Sequence, residues 1–300
     1  MRYLRTSLFI TFALLFSCAT KDASAQAGRH PRPANESSSI LNVVATRTDA
    51  SSKPLSIKQL ALYDAGIEQT IKSFSPDPSP ARIVLLVDNS LTIRADVEKL
   101  EQAAREFAYE IYGGDKLLIV GYDEQPEIVA DWTDDAKKIE ASLRTFRKRG
   151  EPHLFDALAA VTDQALTPFN NTGQKRVIVV ISDGLDRGSK TKFASILAQL
   201  QKQNITVYCV QATDRTGGAP RRNQPKPGQA IAQLAEGTGG LVLPITEPRD
   251  AAKAICDELR KNRYLLAYTP SSIMYTDARR LLLTADEGIN IRTKTMEPAR

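Results

Sequence analysis

Two short stretches place oxygen-bearing side chains where apolar runs stop. In RIVLLVDNSLTIRADV (82–97), Asp88 is followed in alternation by Ser90 and Thr92, and in KRVIVVISDG (175–184) a second apolar run ends at Asp183. Two carboxylates and two hydroxyls form a hard-oxygen set of low total charge. Such a set suits an octahedral cation such as Mg²⁺, with Mn²⁺ or Ca²⁺ as related occupants. A cation with few anionic ligands stays electrophilic, so an Asp or Glu of a partner can complete its shell. The competing reading is structural: the acids cap the helices that follow or hold loop backbone, and Ser90 and Thr92 are turn residues.

Motifs for covalent or nucleotide chemistry are missing. The chain has no Gly-x-Ser-x-Gly elbow, no His-Glu-x-x-His and no P-loop, and the glycines of GLDRGSK (184–190) have the wrong spacing for one. With His30 and His153 as its two histidines, it has no histidine-rich zinc centre. A metal-assisted hydrolase or phosphoesterase built on Asp88 and Asp183 is the enzyme-class alternative. Asp156, near the start of a helical stretch, reads as a favourable charge at a helix N-terminus.

For Asp88 and Asp183 to converge, their strands must end side by side. RIVLLVD and KRVIVVIS are continuous apolar runs, the pattern of strands buried on both faces of a parallel sheet. Between and after them, DKLLIVGY, PEIVADW, ITVYCVQA and GLVLPI read as strands. Helical stripes alternate with these: Leu100 to Ile111, residues 134–146, Leu154 to Ala165, and residues 190–203, 229–236 and 249–262. Strands alternating with helices predict an α/β, doubly wound, mostly parallel sheet flanked by helices. Ligands in such folds bind outside the carboxyl ends of the strands where strand order reverses.

Strand-like segments border this body on both sides. ILNVVATRT, QLALY and IEQTIKSF precede the PDPSP break, and RYLLAYTP, ARRLLLTA and INIRTKT close the chain. Neither flank has enough strands to be stable alone, so the two are expected to form one small discontinuous β module from 39–78 and 263–297, around a body at 81–260.

The first residues read as an export signal. Arg2 and Arg5 precede an apolar run from Leu8 to Phe16, too short to span a membrane, and small residues in ASAQA (23–27) favour cleavage after Ala25. Lipidation at Cys18, giving an envelope-anchored lipoprotein, is the rival to a periplasmic or extracellular protein. No other segment approaches membrane-spanning length. Residues 26–38 read as a polar spacer. Removing 1–25 takes away Arg2, Arg5, Lys21 and Asp22 and lowers the formal charge of +5 by about two. This mild basicity, without an aromatic-rich basic stripe, points to no nucleic-acid partner. Cys209 and Cys256 sit in apolar periodic segments and read as buried thiols, with a disulfide as the alternative. The basic, Gly- and Pro-rich loop at 214–228 reads as a solvated connection.

With these residues in view, the sequence resembles a von Willebrand factor type A domain over about 81–260. DNSLT is similar to that family's Asp-x-Ser-x-Ser loop with Thr in the last place, SDGLD to its later aspartate loop, and LFDAL (154–158) to the opening of its second helix. The flanks resemble those of bacterial exported proteins of this type. The resemblance implies a metal-dependent adhesion site at Asp88, Ser90, Thr92 and Asp183, a protein partner presenting an acidic residue, and binding rather than catalysis. One departure stands out: where the family has a metal-binding threonine, this chain has Pro152, which offers neither a side-chain oxygen nor an N–H. Water, Glu151 or His153 would have to fill that place, or the domain is a metal-free structural one.

Overall fold

Alternating apolar residues in the flanks and continuous apolar runs in the body produce two kinds of sheet. A computed structural model describes residues 38–49, 51, 53–213, 224–271 and 277–299. The expected leader, Cys18, the spacer up to residue 37 and most of the basic loop lie outside the described residues. In chain order, β1 (Ser39–Arg47), β2 (Leu60–Asp64), β3 (Ile67–Gln69) and β4 (Ile71–Pro76) come first. The body follows with β5 (Ala81–Asp88), α1 (Val97–Glu110), β6 (Lys116–Tyr122), β7 (Pro126–Thr133), α2 (Ala136–Leu143) and α3 (Leu154–Ala160). It continues with β8 (Lys175–Ser182), α4 (Phe193–Lys202), β9 (Thr206–Gln211), α5 (Pro227–Thr238), β10 (Val242–Pro244) and α6 (Pro248–Lys261). Four strands end the chain: β11 (Arg263–Tyr268), β12 (Arg279–Ala285), β13 (Ile289–Thr293) and β14 (Met296–Glu297).

The body is an α/β, mostly parallel sheet of six strands in the order β10-β9-β8-β5-β6-β7, with β7 antiparallel at one edge. Every residue of β8 is buried, because helices cover both faces. Ile83, Leu85 and Val87 of β5 pack with α1, α2 and α6, while Val84 and Leu86 face α3, α4 and α5. This division also settles the thiols. Cys256 belongs to the first face and Cys209 to the second, so the sheet separates two free, buried cysteines. Burial pushes both thiols far above their ordinary range.

Beside this body stand two four-stranded sheets, β13-β1-β11-β4 and β14-β12-β2-β3, each mixing strands from before and after it. They share a core of Leu41, Val43, Leu62, Leu266, Tyr268 and Leu281. IEQTIKSF, expected as one strand, breaks at Thr70, and its halves join different sheets. The stripe from Leu154 to Ala165 is not one regular helix. After Ala160 the turns widen into a π segment over Val161–Leu166 and then tighten through Thr167–Phe169, where Pro168 has no N–H to continue the ladder. No helix among the described residues is long and apolar enough to cross a membrane.

Candidate functional site

Strand order turns around at β5. Its connection through α1 leads to β6 on one side, while β8 pairs with it on the other. The carboxyl ends of these strands border the crevice where such sheets hold ligands. Parallel register sets Asp88 opposite Tyr122 and, by pairing Val87 with Ile181, brings Asp88 alongside Ser182. Three polar side chains thereby form one row across three strand ends. Ser182 Oγ donates to Asp88 Oδ2 at 2.9 Å, and Tyr122 Oη lies 2.9 Å from Ser182 Oγ and 3.2 Å from the same carboxylate oxygen. All three side chains are fully buried.

Past the strand end, the chain folds back on Asp88. The Ser90 N–H donates to Asp88 Oδ1 at 3.0 Å, and Ser90 Oγ lies 3.1 Å from Thr92 Oγ1. Leu91 between them is 67 % exposed. Burial raises the Asp88 carboxyl above its usual range, although hydrogen bonds from Ser90, Ser182 and Tyr122 oppose the shift. The Tyr122 hydroxyl is raised well above its own range, first by burial and then by Asp88. Asp183, next to Ser182, is buried as well, and its Oδ1 accepts from the Leu185 N–H at 2.9 Å. The structure therefore joins Asp88, Ser90 and Thr92 in one hydrogen-bonded group and carries Asp183 just past the same row. Ser182 and Tyr122 were not singled out in the sequence. Their signal was positional: each is the last residue of a strand adjoining the one that ends in Asp88.

The third loop brings no hydroxyl. Pro152 is buried, and its carbonyl accepts from the Arg187 N–H at 2.7 Å. Glu151 pairs with Arg187 at 3.7 Å, while the His153 ring covers Gly188, where an added Cβ would stand 2.4 Å from Nε2. Gly188 has φ +117°, so both space and backbone require glycine there. Asp156 does more than face a helix terminus. Its carboxylate accepts from the N–H groups of Lys190 and Thr191 at 2.9 and 2.8 Å. Burial works against its charge, but the Thr191 side chain, followed by these two N–H groups, outweighs it and holds the carboxyl below its ordinary range. Asp186 accepts from the Phe155 N–H at 3.2 Å and from Ser189, and burial raises its carboxyl. Together these bonds fasten the 184–191 loop to the start of α3.

The hydroxyl pair can be tested against a cation. Adjacent oxygens of an octahedral Mg²⁺ at its usual bond length stand about 3 Å apart, and the Ser90 and Thr92 oxygens are 3.1 Å apart. Their chemistry and spacing fit two neighbouring ligand positions, with a buried carboxylate directly behind. The third loop fits less well, since Pro152 supplies no side-chain oxygen. Among the described residues, no group of three or more His, Cys, Asp or Glu side chains is placed to hold a metal, so a cation here would rely on hydroxyls.

A family model described as the von Willebrand factor type A domain matches residues 83–185. No curated protein matches the chain. Among solved structures, the fold is similar to an aerotolerance-related membrane protein from Bacteroides fragilis, with 17 % identity, 60 % of this chain and 99 % of that one covered, and a TM-score of 0.47. It is also similar to a von Willebrand factor type A protein from Catenulispora acidiphila, at 10 % identity, coverage of 78 % and 72 %, and TM-score 0.49. A third is proximal thread matrix protein 1 from the mussel byssus, with a zinc-occupied MIDAS motif, at 11 % identity, coverage of 65 % and 48 %, and TM-score 0.48.

Proposed function

This chain carries a von Willebrand factor type A domain, and from that premise we propose that it is an exported binding or scaffold protein rather than an enzyme. Its partner is a protein, met at the carboxyl end of the central sheet. Asp88, Ser90, Thr92 and Asp183 would hold a divalent cation there, Mg²⁺ or its hard relatives. Ser90 and Thr92 offer their hydroxyls directly, and Asp88 and Asp183 supply the balancing charge. A cation held there would supply electrophilic character toward an Asp or Glu carboxylate of the partner. Ser182 and Tyr122 orient Asp88, and water would have to fill the ligand place for which Pro152 has no side-chain oxygen. The observation carrying this reading is the pair of hydroxyl oxygens 3.1 Å apart above a fully buried carboxylate.

Residues 1–25 are a leader, 81–260 the adhesion domain, and 39–78 with 263–297 its β module, outside the cytoplasm. A metal-free adhesion domain is the second reading, favoured by the internal donors that already satisfy Asp88. Affinity capture from the native envelope, with Mg²⁺ or chelator, separates the two. The metal reading expects a partner held with Mg²⁺, released by chelator and lost in Ser90→Ala/Thr92→Val. Capture indifferent to metal and to both substitutions would favour the metal-free domain. Hydrolysis of ester, peptide or phosphate substrates, abolished by Asp88→Ala without unfolding, would overturn the binding assignment itself.

A further inference from the structure

The loop after β5 is stitched to the segment that joins α2 to α3. The Leu91 N–H donates to the Gly150 carbonyl at 3.1 Å, the Arg149 N–H to the Asn89 carbonyl at 2.8 Å, and Asn89 Nδ2 to the Arg147 carbonyl at 3.1 Å. Lys148 Nζ reaches across to the Ile93 carbonyl at 2.7 Å. These bonds lay residues 147–150 alongside 89–93, and the two stretches form one strip that includes Ser90 and Thr92.

The strip carries charge of one sign. Residues 89–95 and 144–150 hold Arg94, Arg144, Arg147, Lys148 and Arg149, and no Asp or Glu. Asp123 and Glu127 engage Arg149, but among the described residues none of the other four is ion-paired to a carboxylate. Arg147 Nη1 donates to the Arg144 and Phe146 carbonyls at 2.9 and 2.6 Å, which leaves its charge unbalanced. Of the acids that flank the strip, Asp88 is buried, Glu151 pairs with Arg187, and Asp96 starts α1. Arg94, Arg144 and Arg147 are exposed, and Leu91 is a largely exposed apolar side chain among them. Neighbouring like charges raise the local potential and draw in anions. A small inorganic anion would meet that potential and leave Leu91 uncovered, whereas an apolar segment would leave the arginines unmatched. An acidic peptide with an apolar residue among its carboxylates matches both.

We propose that this strip docks an acidic segment of the protein partner, with an apolar side chain on Leu91 and carboxylates at Arg94 and Arg147. The proposal rests on the binding-module reading and is independent of the cation: the strip holds its share of the partner with or without metal. The test is a titration of the ¹⁵N-labelled full chain, freed of divalent cations on a chelating resin, with the acetylated peptide Glu-Glu-Leu-Glu-Glu. Saturable shifts are expected at the Leu91, Arg94 and Lys148 N–H groups. Raising NaCl from about 0.05 to about 0.5 M should weaken binding several-fold, and Gln-Gln-Leu-Gln-Gln should bind at least about tenfold more weakly. Arg94→Ala/Arg147→Ala and Leu91→Ser, all at exposed positions and checked for folding by circular dichroism, should each lower affinity about three- to tenfold. Lys148 is left intact because its bond to Ile93 supports the loop. Absent binding, binding indifferent to salt, or affinity unchanged in both variants would overturn the proposal. So would an oligothymidylate of equal charge that binds as tightly, since the strip would then be a general anion surface. With no divalent cation present, failure here is separate from failure of the metal site.

Discussion

The row Tyr122–Ser182–Asp88 makes a sign-specific prediction about how two hydroxyls share one carboxylate. Tyr122 has a single hydroxyl proton, and the shorter of its two contacts is to Ser182, which passes its own proton to Asp88 Oδ2. Tyr122→Phe removes that donor, but Ser182 Oγ keeps the Gly184 N–H at 3.0 Å and Asp88 keeps Ser182. No acceptor is stranded, so the loss is expected to be about 1–2 kcal/mol. Ser182→Ala also orphans the buried Gly184 N–H, and is expected to cost about 2–3 kcal/mol. In that variant Tyr122 can turn to Asp88, 3.2 Å away, so each hydroxyl covers for the other. The double variant leaves Asp88 Oδ2 with neither donor, and should exceed the sum of the singles by roughly 1 kcal/mol. Urea unfolding in chelator, followed by far-UV circular dichroism and the fluorescence of Trp132, the one tryptophan, measures all four corners. The denaturant slope should stay constant across the cycle. Additivity within about 0.3 kcal/mol would refute the shared-acceptor reasoning.

Other outcomes follow from the same geometry. Pro152→Thr restores the missing hydroxyl, and a tenfold gain in metal affinity would add about 1.4 kcal/mol of stabilisation at saturating Mg²⁺; identical melting with Mg²⁺ and with chelator, in wild type and variant alike, ends the metal reading. Gly188→Ala should destabilise by about 1–3 kcal/mol from backbone strain, with further loss from the clash with His153 Nε2. Adding His153→Ala should recover the clash alone, and unchanged melting of Gly188→Ala would contradict both. Deleting residues 39–75 strips β11, β12 and β13 of their partners β1, β2 and β4, so hydrogen exchange across 263–297 should lose protection; unaltered protection would show those strands to be independent.

The body was legible in the sequence because its signals are local. β5 and β8 are unbroken apolar runs, and the stripe from Leu100 to Ala108 points to one core. Asp88, Ser90 and Thr92 could be named because they are neighbours in the chain. Tyr122 and Ser182 could not, since their meeting with Asp88 depends on register between separate strands. The break at Thr70 was hidden for a similar reason: no Gly or Pro marks it, and only the two sheets show that Ile67–Gln69 and Ile71–Pro76 have different partners. The role of Asp156 also escaped a local reading. Its position suggested a favourable helix-end charge, whereas the N–H groups it accepts belong to a loop about 35 residues onward.

The strand pairing around β1 has a consequence for how the chain comes to be folded. Ile40 pairs with Ala267, about 225 residues later, and β1 lies between β11 and β13. Synthesis therefore delivers β1 long before either neighbour, and both of its edges must wait while the whole body is made. A loop that long adds little to the equilibrium cost of closure, since the penalty grows with the logarithm of length. It weighs on rate instead, because contacts distant in sequence form late. The central sheet, built from strands closer in sequence, can assemble first, and closing β1 between its partners is the natural last step. Until then the apolar residues Leu41, Val43 and Ala45 sit on a strand with two open edges, the form most prone to pairing with another chain.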